Sequence, residues 1–200
     1  MAIKSFKCKD TKALFEGRRV KRWVNIERPA LRKLAQLEWS IVLDDLKVPP
    51  GNGLEALKDD RKGQHSIRIN SQWRLCFVWT QDGAADVEIV DNHKRNIEMR
   101  TVLPVSPGEM LEEEFLKPLG LTKYRLAKDI GVPPQRIGDI VAGKRSVTAD
   151  TDLRLCRYFG LSDGWWLRGQ ASYDTALARE SMQEELALIP RCSLLAASMP

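Results

Sequence analysis

Leu126-Ala127-Lys128-Asp129-Ile130-Gly131-Val132-Pro133-Pro134-Gln135-Arg136-Ile137-Gly138-Asp139-Ile140-Val141 is the stretch that decides the architecture of the second half of this chain. Read at helical period, it is two short helices meeting at a tight turn. Ala127 is small enough to let the helices approach, and Gly131 supplies the positive φ that the turn needs. Ile137, Ile140 and Val141 fall at i, i+3 and i+4 and form the buried stripe of the second helix. The opposite side presents Gln135, Arg136 and Asp139 near the helix N-terminus, where a recognition helix meets base edges. Gln pairs bidentately with adenine and Arg with guanine. Lys144 and Arg145 follow the helix, and Thr122 and Lys123 open the one before it; all four suit phosphate contact. A plain helical hairpin would share the aliphatic spacing, but not the small residue, the glycine and the polar face together. DNA binding is therefore expected.

The segments around this core continue the helical pattern. Ser106-Pro107-Gly108-Glu109 reads as a capping box with Pro at the first helical position. Thr122 caps the next helix, Thr148 a later one, and Ser162 a helix that holds Trp165 and Trp166. A last helical pattern covers roughly residues 174–188. The second half is expected to be all-α.

Toward the N-terminus the period changes. Residues 3–7 alternate like a short strand. Helical patterns follow at about 11–17 and from Arg28-Pro29 onward, the latter with Leu31, Leu34, Ala35 and Trp39 on one side. Pro49-Pro50-Gly51-Asn52-Gly53 is a loop. Residues 64–70, 73–80 and 85–91 then alternate around Ile67 and Ile69, around Leu75, Phe77 and Trp79, and around Val87 and Ile89. Short breaks separate them, so an antiparallel meander is expected. The first half reads as α+β, and the chain divides into residues 1–94, a linker over 95–105, and residues 106–200. Met99-Arg100-Thr101 would serve as the start of a second reading frame, which suggests two frames joined end to end.

Charge distinguishes the halves. Residues 1–95 carry 19 Lys and Arg against 13 Asp and Glu, and residues 96–200 carry 13 against 14. A basic first half points to a polyanionic partner. Cys8, Cys76, Cys156 and Cys192 form no CxxC pair, and the chain has two histidines. Reduced structural thiols are expected, with no metal site and no cofactor. Met1–Lys4 has no extended apolar core, and no apolar run approaches ~18 residues, so a cytoplasmic location without a membrane partner is expected.

Residues 100 to about 170 resemble HigA-type antitoxins of the lambda-repressor-like superfamily. The resemblance rests on Pro107-Gly108-Glu109, Leu126-Ala127-Lys128, Pro133-Pro134-Gln135-Arg136-Ile137, Gly143-Lys144-Arg145 and Thr148-Ala149-Asp150-Thr151. Gly138 departs from it, standing where the family often has a polar residue. Residues 3 to about 94 resemble HigB toxins of the RelE-like fold, through Ile3-Lys4-Ser5-Phe6, Leu54-Glu55-Ala56-Leu57-Lys58, Asp60-Arg61-Lys62-Gly63-Gln64, Ser66-Ile67-Arg68-Ile69-Asn70, Gln72-Trp73-Arg74 and Val90-Asp91-Asn92-His93. Toxin before antitoxin is also that family's order. The resemblance implies messenger-RNA cleavage on the ribosome, restrained by contact between the two halves. It also implies autorepression at an operator.

Metal-free RNA cleavage needs cations to hold the phosphate and neutralise developing charge, and a group that moves protons. Lys58, Arg61 and Lys62 precede the meander, Arg68 and Arg74 lie on neighbouring strands, and His93 titrates near neutral pH. His65 falls on the face opposite Ser66 and Arg68. Asn92 stands where many relatives have Tyr, Gly53 where a basic residue is familiar, and Asp59 where a Gly is. These departures weaken an RNA site. The leading reading is a type II toxin–antitoxin module, with a ribonuclease site that is active or attenuated. A homodimer through the second half would read a palindromic operator, because one recognition helix spans few base pairs. The alternatives are a catalytically inactive RelE-like module fused to a transcriptional regulator, and a basic RNA-binding domain tethered to a DNA-binding domain.

Overall fold

A computed structural model describes residues 3–58, 61–91 and 104–190. The elements run α1 (Lys9–Phe15), α2 (Glu27–Trp39), β1 (Glu55–Ala56), β2 (Gln64–Arg68), β3 (Trp73–Thr80) and β4 (Gly83–Asp91). They continue as α3 (Pro107–Leu111), α4 (Lys117–Leu119), α5 (Lys123–Asp129), α6 (Pro134–Val141), α7 (Ala149–Phe159), α8 (Trp165–Ser181) and α9 (Gln183–Leu188). A π turn, Glu112–Leu116, joins α3 to α4. The expected classes are observed: an antiparallel sheet with helices first, helices alone afterwards. The linker expected at 95–105 lies outside the described residues as far as position 103. No helix among the described residues is long and apolar enough to cross a membrane.

The sheet has the order β1-β2-β3-β4, all pairs antiparallel. Alternation sends Ile67, Leu75, Phe77, Val87 and Ile89 to one face, where they are buried under α1 and α2. Helix α2 contributes Ala30, Leu31, Leu34, Leu37 and Trp39 to that core. β1 is an addition to the expected meander; two residues are too few for a period to register. The expected strand at 3–7 is reduced to two isolated parallel bridges, Ile3 with Ala84 and Phe6 with Val87.

The second half is organised by its caps. Thr122 Oγ1 accepts from the Arg125 amide at 3.1 Å, and Gly131 adopts φ +68° at the turn between α5 and α6. Ser106 Oγ accepts from the Glu109 amide at 3.1 Å, but the Glu109 carboxylate turns away to Arg28 and Arg32, so the capping box is only half formed. Thr148 precedes α7 without accepting an amide; its hydroxyl meets that of Thr151 at 3.3 Å. Nor does Ser162 cap α8. The buried Asp152 does this, accepting from the amides of Gly164 (2.7 Å), Trp166 (2.9 Å) and Leu167 (3.1 Å).

The two halves share one buried core. The Trp39 ring packs edge-on against Trp165 at 4.9 Å, and its carbonyl accepts from Arg168 Nε at 2.6 Å. Gly169 lies under that ring so closely that a Cβ there would stand 2.8 Å from it. Asp45 Oδ1 accepts from the Ser162 amide at 2.9 Å. Beside this apolar contact sits an ion network. Arg28 and Arg32 reach Glu109, Arg32 Nε lies 2.7 Å from Glu114 Oε1, and Lys33 pairs with Glu114 where both are buried.

Candidate nucleic-acid interfaces

The outer face of the sheet carries the first candidate. Register places Arg68 opposite Arg74, Ser66 opposite Cys76, and Cys76 opposite Glu88, so these side chains share one face. Arg74 is held by Ser66 Oγ (2.8 Å), the Gly53 carbonyl (3.0 Å) and Glu55 (3.1 Å). The Arg68 guanidinium lies beside Gly53, 3.8 Å from where a Cβ would be, so it fills space that a basic residue at 53 would enter. Arg61 approaches Glu88 at 3.3 Å, and Lys7 meets the same carboxylate at 3.1 Å. Lys58 and Lys62 are exposed and have no ion-pair partner among the described residues.

The structure therefore brings Arg61, Arg68 and Arg74 to one region. His93 and Asn92 lie outside the described residues. His65 stacks on Phe77 on the core side, at 6.1 Å, as alternation predicts. Burial pushes the Cys76 thiol above its usual range, with Arg61 pulling the other way, so the thiol stays protonated at neutral pH. Lys7, Glu55 and Glu88 were not anticipated. Glu88 was detectable by alternation, since it lies between the core residues Val87 and Ile89. Lys7 reaches it only through the pairing of the N-terminal segment with β4.

The second candidate is the face around α6. Ile137 and Ile140 are buried against the helical core, which leaves Gln135 exposed in the first turn. Thr122, Lys123, Lys144 and Arg145 are exposed, and Asp139 is half-buried. Arg136 is less free than the sequence suggests: it pairs with Asp150 at the start of α7, which also accepts from Arg154 Nε at 2.9 Å. Those two arginines, Arg154 first, hold the Asp150 carboxyl below its usual range. Lys123 pairs with Glu112 at 3.3 Å. The face is thus a cationic rim around a polar helix end, with Gln135 exposed at that end.

Residues 4–93 match the family described as the RelE-like toxin of type II toxin–antitoxin system HigB, and residues 113–166 match the helix-turn-helix family. Virulence-associated protein I of Dichelobacter nodosus is 48% identical over 86 residues, which is 43% of this chain and 80% of that protein. Toxin HigB-1 of Vibrio cholerae is 44% identical over 70 residues, 35% of this chain and 73% of that protein. Antitoxin HigA-1 of the same strain is 37% identical over 82 residues, 41% of this chain and 77% of that protein. The chain belongs to the HigB–HigA family of type II toxin–antitoxin modules, with a HigB toxin-like region followed by a HigA-like helix-turn-helix region.

Proposed function

We propose that this chain is an autoregulating toxin–antitoxin module in a single polypeptide. Residues 106–200 form a dimeric repressor of a palindromic operator. Residues 1–94 form an RNA-binding unit that acts on messenger RNA at the ribosome, held in check by the helices docked on it. The observation that carries the repressor reading is that the outer face of α6 stays open although α3, through Glu109 and Met110, and α8 are occupied by the first half. Both contacts can then be made at once. A second copy is expected along α8 and α9, which expose Leu177, Met182, Leu186 and Leu188.

The operator reading is tested by titrating operator and scrambled DNA with variants. Gln135→Ala and Arg136→Ala should each cut discrimination by ~1–3 kcal/mol per lost base contact. Lys144→Ala should weaken both DNAs alike and lower the salt slope by about 1. Unchanged operator preference in both recognition-helix variants would mean that another surface reads the sequence.

The attenuated reading has a specific observation in its favour. Glu88 occupies Lys7 and Arg61, and Glu55 occupies Arg74, so the sheet face neutralises part of its own charge. Glu88→Gln should free two cations and tighten binding of single-stranded RNA. If both reach phosphates, the slope of log K against log salt should steepen by about 1.4. An unchanged slope would mean that Lys7 and Arg61 do not reach phosphates and that Glu88 does not attenuate this face.

A further inference from the structure

We propose that Glu114 of the helical half is a positioning residue for the arginine pair Arg68 and Arg74, acting through the hydrogen-bonded chain Glu114–Lys33–Asn52. This rests on the reading that the sheet face binds RNA. It adds that docking of the helical half sets the geometry of that face from behind.

Each link is a direct contact. Glu114 sits in the π turn after α3 and pairs with Lys33 on α2. The Lys33 ammonium donates to Asn52 Oδ1 at 2.8 Å. Asn52 is fully buried and all its polar groups are used. Its Nδ2 donates to the Leu46 carbonyl (2.8 Å), its amide donates to the Pro49 carbonyl (3.0 Å), and its carbonyl accepts from the Arg68 amide (2.6 Å). The next carbonyl, that of Gly53, accepts from Arg74 at 3.0 Å. The backbone at 52–53 therefore holds one arginine by its main chain and the other by its guanidinium, and Lys33 is what fixes that backbone from the interface side.

The chemistry explains why Glu114 controls the chain. Lys33 is buried, and an ammonium taken from water needs a counter-charge. Burial lowers its proton affinity, and Glu114 restores only part of it. Asn52 alone offers a neutral acceptor. Without the carboxylate, the ammonium is drawn toward water and away from Asn52. Position of the arginines and docking of the helices are then linked equilibria. Whatever binds Arg68 and Arg74 changes the hold on Glu114, and the converse follows by reciprocity.

The test uses the full chain. The double variant Lys33→Met with Glu114→Leu removes both charges of the buried pair together and leaves Arg32 its contact with Glu109, so it should fold; a thermal melt and unaltered operator binding check this. Glu114→Gln is the second variant. Hydrogen exchange at the Arg68 amide should rise by about tenfold or more in both, as expected for losing support from a charged hydrogen bond, while the Leu75 amide stays protected. Affinity for a fluorescent single-stranded oligoribonucleotide should shift at least threefold in both. Native Arg68 exchange together with native RNA affinity in the folded double variant overturns the proposal. Faster Arg68 exchange in a chain whose wild type binds no RNA supports the linkage and overturns the RNA reading instead.

Discussion

Replacing Glu114 with alanine is expected to destabilise the chain by about 3–5 kcal/mol, because it strands a buried lysine. Lys33 and Glu114 keep only 4% and 8% of their side-chain surface exposed, and Arg32 lies against the same carboxylate. Removing the carboxylate leaves two cations facing each other at the junction of the halves. The loss should be read as a lower denaturant midpoint with the native slope. The double change Lys33→Met with Glu114→Leu should recover most of it, and if the single and double variants melt alike, the ion pair is not the cause. Acid should reproduce the single variant. Burial alone would raise the Glu114 carboxyl, but Lys33 and Arg32 outweigh it and hold the group below its ordinary value of 4.5. A carboxyl depressed in the folded state stabilises fully above that ordinary value. The stabilisation fades as pH falls through the lower folded value. Acid unfolding should therefore shift to higher pH when Arg32 is changed to Met.

Trp39→Ala is expected to cost about 3–5 kcal/mol as well, by a different route. The indole is 2% exposed and fills the space between α2 and α8 that Gly169 leaves open. Its edge-on contact with Trp165 joins it to a cluster that continues through Trp166 and Phe115. Truncation opens a cavity at the junction, and for a chain of this size the melting temperature should fall by roughly 10 °C. Operator affinity at low temperature should survive, because α6 rests on Ile137 and Ile140 elsewhere in the core. A melt within two or three degrees (about 1 kcal/mol) of wild type would show that the halves do not depend on this contact.

How far the sequence could be read follows from the range of the interactions. Strand β3 was legible because Leu75, Phe77 and Trp79 alternate over eight residues. Thr122 was legible as a cap because its partner is three residues away. Lys33 was not, since its carboxylate lies 81 positions further on. Nothing local tells a buried lysine on an apolar helix from one that reaches solvent. Ser162 illustrates the same limit. It is a good cap by type, but Asp152, ten positions earlier, folds back to take the amides first. Arg68 and Arg74 were placed on one surface by strand logic; alternation gives the face of Glu88 but not its pairing with Arg61, and Glu55 lies on a strand of two residues, too short to show a period.

The pairing of Arg136 with Asp150 bears on error tolerance at the operator. An arginine that waits in water loses its partners when it faces the wrong base, and that loss is what a mismatch costs. Arg136 instead has a resident carboxylate to fall back on. In the operator-binding reading, a correct base must out-compete Asp150, and an incorrect one merely leaves the guanidinium where it was. Both changes narrow the gap between right and wrong sites, toward the lower end of the ~1–3 kcal/mol that a bidentate arginine contact normally supplies. On that reading this position tolerates error, and stringency falls to Gln135 and to the half-site spacing of the proposed dimer.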